Sequence, residues 1–296
     1  MEVCRQFCNR FNSQGLTAID FSSILHVIFF TIIGFLYTKW QVNLEATFIN
    51  ICNVNYQHDD KGDTVPSSAV AIFGFGLPFL GLTLTHCFPR YGVGHISMDD
   101  YKKYNLSFFR GLLYYAFAAS LALAFTNIFK TYISEPRPSA VWQCNPNNFR
   151  EHYTMGTLNT WSREVGCTNV RIVMPLSDCP DQHNAGDIAM SCPSGHSSSS
   201  AAIAITLALH LRRHMGPCRL NSFLAPFRAA LAAFLWMAPL VVGLTRVYDN
   251  KHSSADVALG LLIGSFCGVI ADELWAESDS LAEGSASKVD EKLDEL

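Results

Sequence analysis

The chain has 296 residues, of which 49% are hydrophobic and only 16% are charged, whereas soluble domains carry about 25% charged residues. Its mean hydropathy is +0.17, and its apolar residues gather into runs that approach the ~20 residues needed for a helix to cross a bilayer. This composition argues against a water-soluble domain and predicts an all-α, polytopic membrane protein. The net charge of −4 distinguishes little. No nucleotide-binding loop or dinucleotide fingerprint occurs, and we expect no nucleic-acid partner.

Six apolar segments predict six transmembrane helices, of which the fourth is the shortest. In chain order they are about Ile19–Tyr37, Ala69–Cys87, Phe108–Phe129, Ser197–Leu211, Ala225–Leu244 and Asp256–Leu274. The predicted organisation is a cytoplasmic N-terminus, 1–18, a six-helix domain, 19–275, and an acidic cytoplasmic tail, 276–296. Within the domain, a long loop, 131–196, joins the third and fourth segments. The tail is rich in Ser, Asp and Glu, and we expect it to be disordered or a frayed helix.

The orientation follows from the basic residues of the connections, because Lys and Arg accumulate in cytoplasmic loops. The connections 88–107 and 212–224 are the more basic ones, together with the N-terminus; their basic residues include Arg5, Arg10, Arg90, Lys102, Lys103, Arg212, Arg213 and Arg219. Both termini are therefore predicted to be cytoplasmic. The ends of the third to sixth helices that carry the motifs described next would face the lumen or the exterior, in the plasma membrane or an endomembrane.

Three polar motifs interrupt this apolar pattern, each where a predicted helix meets a loop. The first is KTYISEPRP at 130–138, the second is CPSGHSS at 192–198, and the third is TRVYDNKHSSAD at 245–256. A charged residue at a bilayer centre costs about 2.5–3.5 kcal/mol even on lenient scales. Charges at helix ends avoid much of that cost, and four helix ends would meet on one side of the membrane.

The residue types in these motifs suit phosphoryl transfer, which mainly requires positioning and compensation of phosphate charge. Lys130, Arg137 and Arg246 supply three positive groups, and the guanidinium groups can bind phosphate bidentately. Ser194 and the amides around Gly195 would begin the fourth helix, where free N–H groups point toward an anion. The same glycine leaves room for a phosphate to approach closely. These candidates account for phosphate binding without a cofactor or a metal.

The order, the internal spacings and the membrane context of the three motifs resemble the lipid phosphate phosphatases, the type 2 phosphatidic acid phosphatase family. The resemblance runs from about the second apolar segment to the sixth. It implies that His252 is the nucleophile, that Asp256 orients it, and that His196 protonates the leaving alkoxide and then activates water. The spacing of four residues permits the His252–Asp256 pairing if the last helix begins by His252. Thr245 departs from the Ser usual in the third motif, and the loop 139–192 is long for the family.

The resemblance thus implies a metal-independent membrane phosphatase acting on lipid phosphate monoesters or diphosphates through a phosphohistidine. Phosphatidate, lysophosphatidate, sphingoid-base phosphates and diacylglycerol pyrophosphate are all candidate substrates. A lipid phosphotransferase similar to sphingolipid synthases is a rival, although those enzymes usually lack the first motif. A prenyl or dolichyl diphosphate phosphatase would use the same residues, and a non-catalytic scaffold or transporter is the alternative from another class. The expected partners are the bilayer and the lipid substrate, and a homo-oligomer is left open.

Cysteines and two further polar groups complete the candidates. In an oxidising compartment Cys144, Cys167, Cys179 and Cys192 could form disulfides, with three pairings open, or remain free thiols. The groups His58-Asp59-Asp60 and Asp181-Gln182-His183 contain metal-ligand types, but each lies in a loop without a convincing partner set. We interpret both as solvated loops. Asp249 and Lys251 flank His252 and are expected to orient its loop.

Overall fold

The computed structural model describes residues 18–39, 48–50, 53–87, 98–144, 173–176, 179, 182–214 and 225–294. Its elements in chain order are α1 (Ala18–Lys39), β1 (Phe48–Asn50), α2 (Ser67–Cys87), α3 (Met98–Ile133), α4 (Ala140–Cys144), β2 (Val173–Pro175), α5 (Gln182–Ile188), α6 (Gly195–His214), α7 (Ala225–Tyr248) and α8 (Ser254–Asp294). Each of the six predicted apolar segments forms a helix, so the mostly helical fold is confirmed.

Four of the long helices are apolar enough over a sufficient length to cross a membrane. The qualifying stretches are Ile19–Tyr37, Phe108–Ile133, Ala229–Tyr248 and Ser254–Leu281. Their outward faces carry large apolar side chains, such as Phe29, Leu244 and Leu262, that are more than half exposed. Contiguous exposure of this kind suits a lipid environment rather than water. The other two helices, α2 and α6, remain predicted spans.

Helix α6 lies at the centre of the bundle and packs against α2, α3, α7 and α8. Because neighbouring helices surround it, α6 can carry polar side chains that lipid would not tolerate. Ser197, Ser198, Thr206 and His210 are all fully buried. The hydroxyl of Thr206 donates to the carbonyl of Ala202 at 2.7 Å. This central position explains why α6 is the least apolar of the predicted segments.

Three glycines of α8, spaced four residues apart, form the contact with α6. A Cβ added at Gly260 would lie 2.5 Å from the carbonyl oxygen of Ser194, and one at Gly264 would lie 2.0 Å from that of Ser198. At Gly268 the corresponding distance to the carbonyl oxygen of Ala202 is 2.8 Å. Small residues allow two helix backbones to approach closely inside a membrane. This glycine seam draws the beginning of α8 against the beginning of α6.

Replacing Gly264 by Ala is expected to destabilise the bundle by ~2–3 kcal/mol or more, because the new methyl group would overlap a backbone oxygen that cannot move aside. The measurement is thermal unfolding of the purified protein in detergent. Gly76→Ala in α2 is the matched control, since no atom lies within 4 Å of its added Cβ. Equal midpoints for the two variants would contradict the seam.

The described parts of the long loop fold together with the first connection, which joins α1 to α2. Both lie beside the motif-bearing ends of the helices. Strands β1 and β2 pair antiparallel with Ile49 opposite Met174, and Cys144 forms a disulfide with Cys179. Ile49, Leu176 and Ile188 pack with these cysteines in one buried cluster. The all-α prediction is therefore corrected by one small sheet. Strands of three residues are too short to show an alternating pattern, and they pair only after the chain has folded.

The sequence left three disulfide pairings of four cysteines open, and the structure shows which partner two of these cysteines have. Cys144 and Cys179 are joined, and Cys192 is a buried free thiol, whereas Cys167 lies outside the described residues. Of the second polar group, Asp181-Gln182-His183, the last two residues lie in the first turn of α5 and not in a loop, whereas Asp181 lies outside the described residues.

Helix α8 continues to Asp294, although the residues after 275 were predicted to be a disordered or frayed tail. Contacts at the end of the bundle away from the motifs explain the difference. Ser278 donates to Asp20 at 2.7 Å, and Arg110 donates to both Asp20 at 2.9 Å and Asp279 at 3.2 Å. Arg110, Asp20 and Ser278 are buried. This cluster ties α8 to α1 and α3 beyond the apolar segment.

Candidate active site

Tight turns at two helix ends bring the motifs together. Ser134 follows α3 with a φ of 47°, and Asn250 follows α7 with a φ of 59°. Left-handed residues of this kind commonly end helices, and Asn is among the residues that tolerate them. After Asn250 the chain folds back, and the amides of Lys251 and His252 donate to the carbonyl of Arg246 at 3.0 and 3.3 Å. The third motif is thus a closed turn between α7 and α8.

The His252 and Asp256 side chains meet at the start of α8, as the sequence predicted. His252 Nδ1 lies 3.7 Å from Asp256 Oδ2, and both side chains are at most 3% exposed. Helix α8 begins at Ser254, so His252 precedes it instead of lying on its first turn. The pairing survives because Asp256 also accepts from the Ser253 amide at 2.8 Å, while its own amide donates to the Ser253 hydroxyl at 3.2 Å. This reciprocal helix cap holds the carboxylate beside the imidazole.

Ser191 is the residue in this cluster that the sequence analysis missed. It is fully buried, and its hydroxyl donates to Asp256 Oδ2 at 2.5 Å and lies 3.4 Å from His252 Nδ1. Its amide donates to the carbonyl of Glu135 at 2.9 Å. Ser191 precedes the second motif by one position, so only its proximity to that motif could have drawn attention to it. The contact links the loop before α6 to the carboxylate of α8.

The two ring nitrogens of His252 differ in their surroundings. Because Nδ1 faces Asp256 and Ser191, Nε2 is the nitrogen available for chemistry. Burial lowers the pKa of His252 to about 3; Asp256 opposes this shift, whereas the charges of Lys130 and Arg137 add to it. The imidazole is therefore neutral at physiological pH, as an attacking nitrogen must be.

Two of the three predicted cations are anchored by the loop before α6. Lys130 donates to the carbonyl of Met190 at 2.8 Å. Arg137 is 8% exposed and donates two hydrogen bonds to Asp187. Its Nε donates to the carbonyl at 3.0 Å, and its Nη2 donates to the carboxylate at 2.7 Å. The charges of both side chains contribute to the lowered pKa of His252.

The third predicted cation, Arg246, is only 2% exposed, and residues of the first connection hold its side chain. Its Nη2 donates to Asp63 Oδ1 at 2.7 Å, and its Nη1 donates to the Val65 carbonyl at 3.3 Å. Among the described residues, the buried Nε of Arg246 has no hydrogen-bond partner, and neither does the buried Nε2 of His196. Unpaired buried polar atoms are rare in folded proteins. These two atoms are suited to hold an anion.

Ser194 and Gly195 occupy the predicted helix start, with one correction. The Ser194 amide donates to the carbonyl of Asp256 at 3.0 Å, so it ties α6 to α8 and is not free for a ligand. The Ser194 hydroxyl instead accepts from Ser197 at 3.0 Å. Around Gly195, an added Cβ would meet only the Thr126 methyl at 3.9 Å. Packing therefore does not require glycine there, which agrees with the predicted close approach of a phosphate.

The group His58-Asp59-Asp60 lies in an irregular segment in which His58 and Asp59 are exposed, as predicted, whereas Asp60 is partly buried. Asp60 forms an ion pair with Lys251 at 2.6 Å and accepts from Gln143 at 2.8 Å. Burial by itself would raise the pKa of Asp60, but the hydrogen bonds from Lys251, Gly62 and Gln143 outweigh it and lower the pKa. The partners of this carboxylate come from distant parts of the chain, so no local pattern in the sequence revealed them.

One group of possible metal ligands occurs among the described residues. Glu135, Cys192 and Asp256 each offer one atom within 4.8 Å of the others. Burial, followed by the charge of Asp256, raises the pKa of Cys192 to about 12, so this thiol stays protonated. A metal binds the thiolate and not the thiol. Asp256 Oδ2 already accepts two hydrogen bonds, whereas its buried Oδ1 has no partner among the described residues.

Residues 111–276, which contain all three motifs, match the PAP2 superfamily. The chain belongs to the PAP2 superfamily. Phospholipid phosphatase 2 of Rattus norvegicus is 30% identical over 169 residues, covering 57% of this chain and 54% of that protein. The human phospholipid phosphatase 2 is 28% identical over 174 residues, with 59% and 54% covered. Phospholipid phosphatase 1 of Rattus norvegicus is 27% identical over 216 residues, with 71% and 68% covered. The match thus spans about half the length of the first two PAP2 relatives.

The low pKa of His252 predicts a pH-dependent stability. In the unfolded chain its pKa returns to about 6.5, so between pH 6.5 and 3 the unfolded state binds more protons than the folded one. Stability must therefore fall as the pH drops below about 6.5, by ~2 kcal/mol at pH 5 from this residue. Unfolding in detergent at pH 7.5 and 5.0 should show a larger loss for the wild type than for His252→Gln. Identical losses would show that His252 titrates normally in the folded protein.

Proposed function

We propose that this protein is an integral-membrane lipid phosphate phosphatase that acts on phosphatidate and related lipid phosphates through a phosphohistidine intermediate. The observation that carries the proposal is the meeting of a buried, neutral imidazole with three cations at the ends of the membrane helices. The PAP2 membership of this segment and the phosphatase names of its relatives support it. Lipid substrates and the hydrolysis itself are inferred for this chain.

In the first step, His252 Nε2 attacks phosphorus while the bond from phosphorus to the lipid oxygen breaks. Burial, followed by the charge of Arg246, lowers the pKa of His196 to about 4, so the step requires the bound phosphate dianion to favour its protonated form. The protonated His196 then gives its proton to the departing alkoxide, and the lipid leaves as an alcohol. In the second step, His196 accepts a proton from water, whose oxygen attacks the phosphohistidine and releases inorganic phosphate and free His252. Asp256 stabilises the positive ring through its Nδ1 side. The cycle needs no metal and no redox partner.

The cations compensate the charge that builds on the three equatorial phosphate oxygens. Arg246 would bind through its Nε and His196 through its Nε2, two buried atoms without a partner among the described residues. Lys130, in the last turn of α3, and Arg137, which follows that helix, are held in place by their contacts to the Met190 carbonyl and the Asp187 carboxylate. Fixed donors of this kind need no reorganisation when the charge develops.

The proposed membrane arrangement has both termini in the cytoplasm and the motifs at the lumenal or exterior surface. The basic connections support it, and the Cys144–Cys179 disulfide beside the motifs suits an oxidising compartment. A lipid would enter sideways between helices, with its acyl chains against the apolar faces and its phosphate at the interface. No soluble carrier is then needed.

The proposal predicts that purified protein releases phosphate from short-chain phosphatidate in detergent containing EDTA, and that His252→Ala abolishes the release. Loss of the nucleophile should reduce kcat by at least ~1,000-fold. Phosphate is measured colorimetrically for both proteins under identical conditions. Equal rates would refute His252 as the nucleophile. Transfer of the phosphate-containing group to an added lipid alcohol, without free phosphate, would indicate a phosphotransferase.

Ser191→Ala is expected to lower kcat by roughly 10- to 100-fold, since a hydrogen bond to a charged group contributes about 1.5–3 kcal/mol. The variant loses the hydroxyl that holds Asp256 beside the imidazole, yet it touches no phosphate-binding side chain. KM should therefore change little. Ser120→Ala in α3 is the control, because that buried hydroxyl donates only to the Phe117 carbonyl. A similar kcat for both variants would remove Ser191 from the mechanism.

A further inference from the structure

The first connection contains a segment, residues 58–65, that lies across the turn of the third motif. We propose that this segment, which we call the strap, fixes Arg246 for phosphate binding and that Asp63 is its positioning residue. The inference rests on the proposed function, in which Arg246 binds phosphate. It adds residues outside the three motifs to the binding site.

The three nitrogen atoms of the Arg246 guanidinium have different surroundings. Asp63 and the Val65 carbonyl take the two terminal nitrogens, at 2.7 and 3.3 Å, while Nε remains buried without a partner in the described residues. A guanidinium is a rigid planar fork, so fixing its two terminal nitrogens also fixes the direction of Nε. The strap therefore orients the remaining donor without occupying it.

The strap is attached to the third motif at several points. Thr64 donates to Asp249 through its amide at 2.8 Å and through its hydroxyl at 2.5 Å. Asn250 donates to the Asp59 carbonyl at 2.8 Å, and Lys251 pairs with Asp60. Three successive residues of the motif thus hold the strap. At its other end, the His58 amide donates to the Pro138 carbonyl at 3.1 Å, which links it to the first motif.

The charges around Arg246 favour a role for Asp63 in positioning the guanidinium over a purely structural role. A buried guanidinium requires a counter-ion. Asp249 lies 3.5 Å from Arg246 within the third motif, and Asp63 provides the closer carboxylate, at 2.7 Å, from the surface, since its side chain is 43% exposed whereas that of Arg246 is 2% exposed. Burial opposes ionisation of Asp63, but the hydrogen bond and charge of Arg246, together with Lys251 and His196, lower its pKa. The carboxylate therefore stays ionised near neutral pH and keeps its hold on Arg246.

The test compares Asp63→Asn with Asp59→Asn in the full-length protein. Both changes remove one strap carboxylate, but among the described residues the Asp59 side chain forms one hydrogen bond, from the Asn250 side-chain amide at 3.2 Å, and none with Arg246. The readouts are KM and kcat for short-chain phosphatidate and the inhibition constant of orthovanadate, a phosphate analogue, in metal-depleted buffer without EDTA, because EDTA binds vanadate. A thermal unfolding curve of each variant controls for folding.

Asp63→Asn should raise KM and the vanadate inhibition constant by roughly 10- to 100-fold, as expected for a binding group that has lost its alignment. Asp59→Asn should stay within about twofold of the wild type on the same scale. Asp63→Glu keeps the charge and should recover part of the loss. A purely structural contact would instead lower the unfolding temperature and leave vanadate binding unchanged, which would overturn the proposal.

Tighter vanadate binding by Asp63→Asn would also overturn it, because the carboxylate would then be competing with phosphate for Arg246. The proposed function fails separately, if wild-type protein releases no phosphate from any lipid phosphate. In that case the stabilisation of each variant by vanadate against thermal unfolding still measures whether Asp63 supports anion binding. Loss of that stabilisation in Asp63→Asn alone would uphold the role of the strap.

Discussion

The close packing of α6 against α8 is the constraint on which the site depends. It requires glycine at three positions of α8, where any side chain would strike the backbone of α6 or the residue preceding it. The resulting approach lets the Ser194 amide reach the Asp256 carbonyl. A backbone hydrogen bond therefore joins the second and third motifs at this point, independently of any side chain. Bundles in lipid gain their stability from such packing because the hydrophobic effect does not drive helices together there.

Burying charge in this setting demands partners, and most of them come from segments outside the three motifs, although Asp249 of the third motif also lies 3.5 Å from Arg246. Arg137 is held by Asp187, Arg246 by Asp63, and Lys130 by a backbone carbonyl. Each cation is fixed on its outer side, so its orientation does not depend on a bound phosphate. Preorganised cations of this kind are what stabilisation of a phosphoryl-transfer transition state requires. The short sheet, the disulfide and the strap therefore form part of the catalytic architecture that we propose.

The buried polar cluster at the opposite end of the bundle has a different role. Asp20, Arg110 and Ser278 unite α1, α3 and α8 far along the chain from the motifs. Their contacts hold the residues of α8 that follow the apolar segment, at Ser278 and Asp279. Isolated buried charges are costly, but a connected set satisfies most of its members. The cluster fixes α3 and α8, whose other ends carry site residues, together with α1.

The sequence by itself determined the helical membrane character, the six apolar segments and the three motifs. Periods of apolar residues and charges at helix ends are local features, so they can be read without coordinates. The candidate residues were predicted from the same local pattern together with the family resemblance. Only the tertiary structure revealed Ser191 against Asp256, the strap on Arg246, the glycine seam and the Cys144–Cys179 pair. Each joins residues far apart in the chain or depends on the distance between two helices, and no short stretch of sequence encodes such a contact.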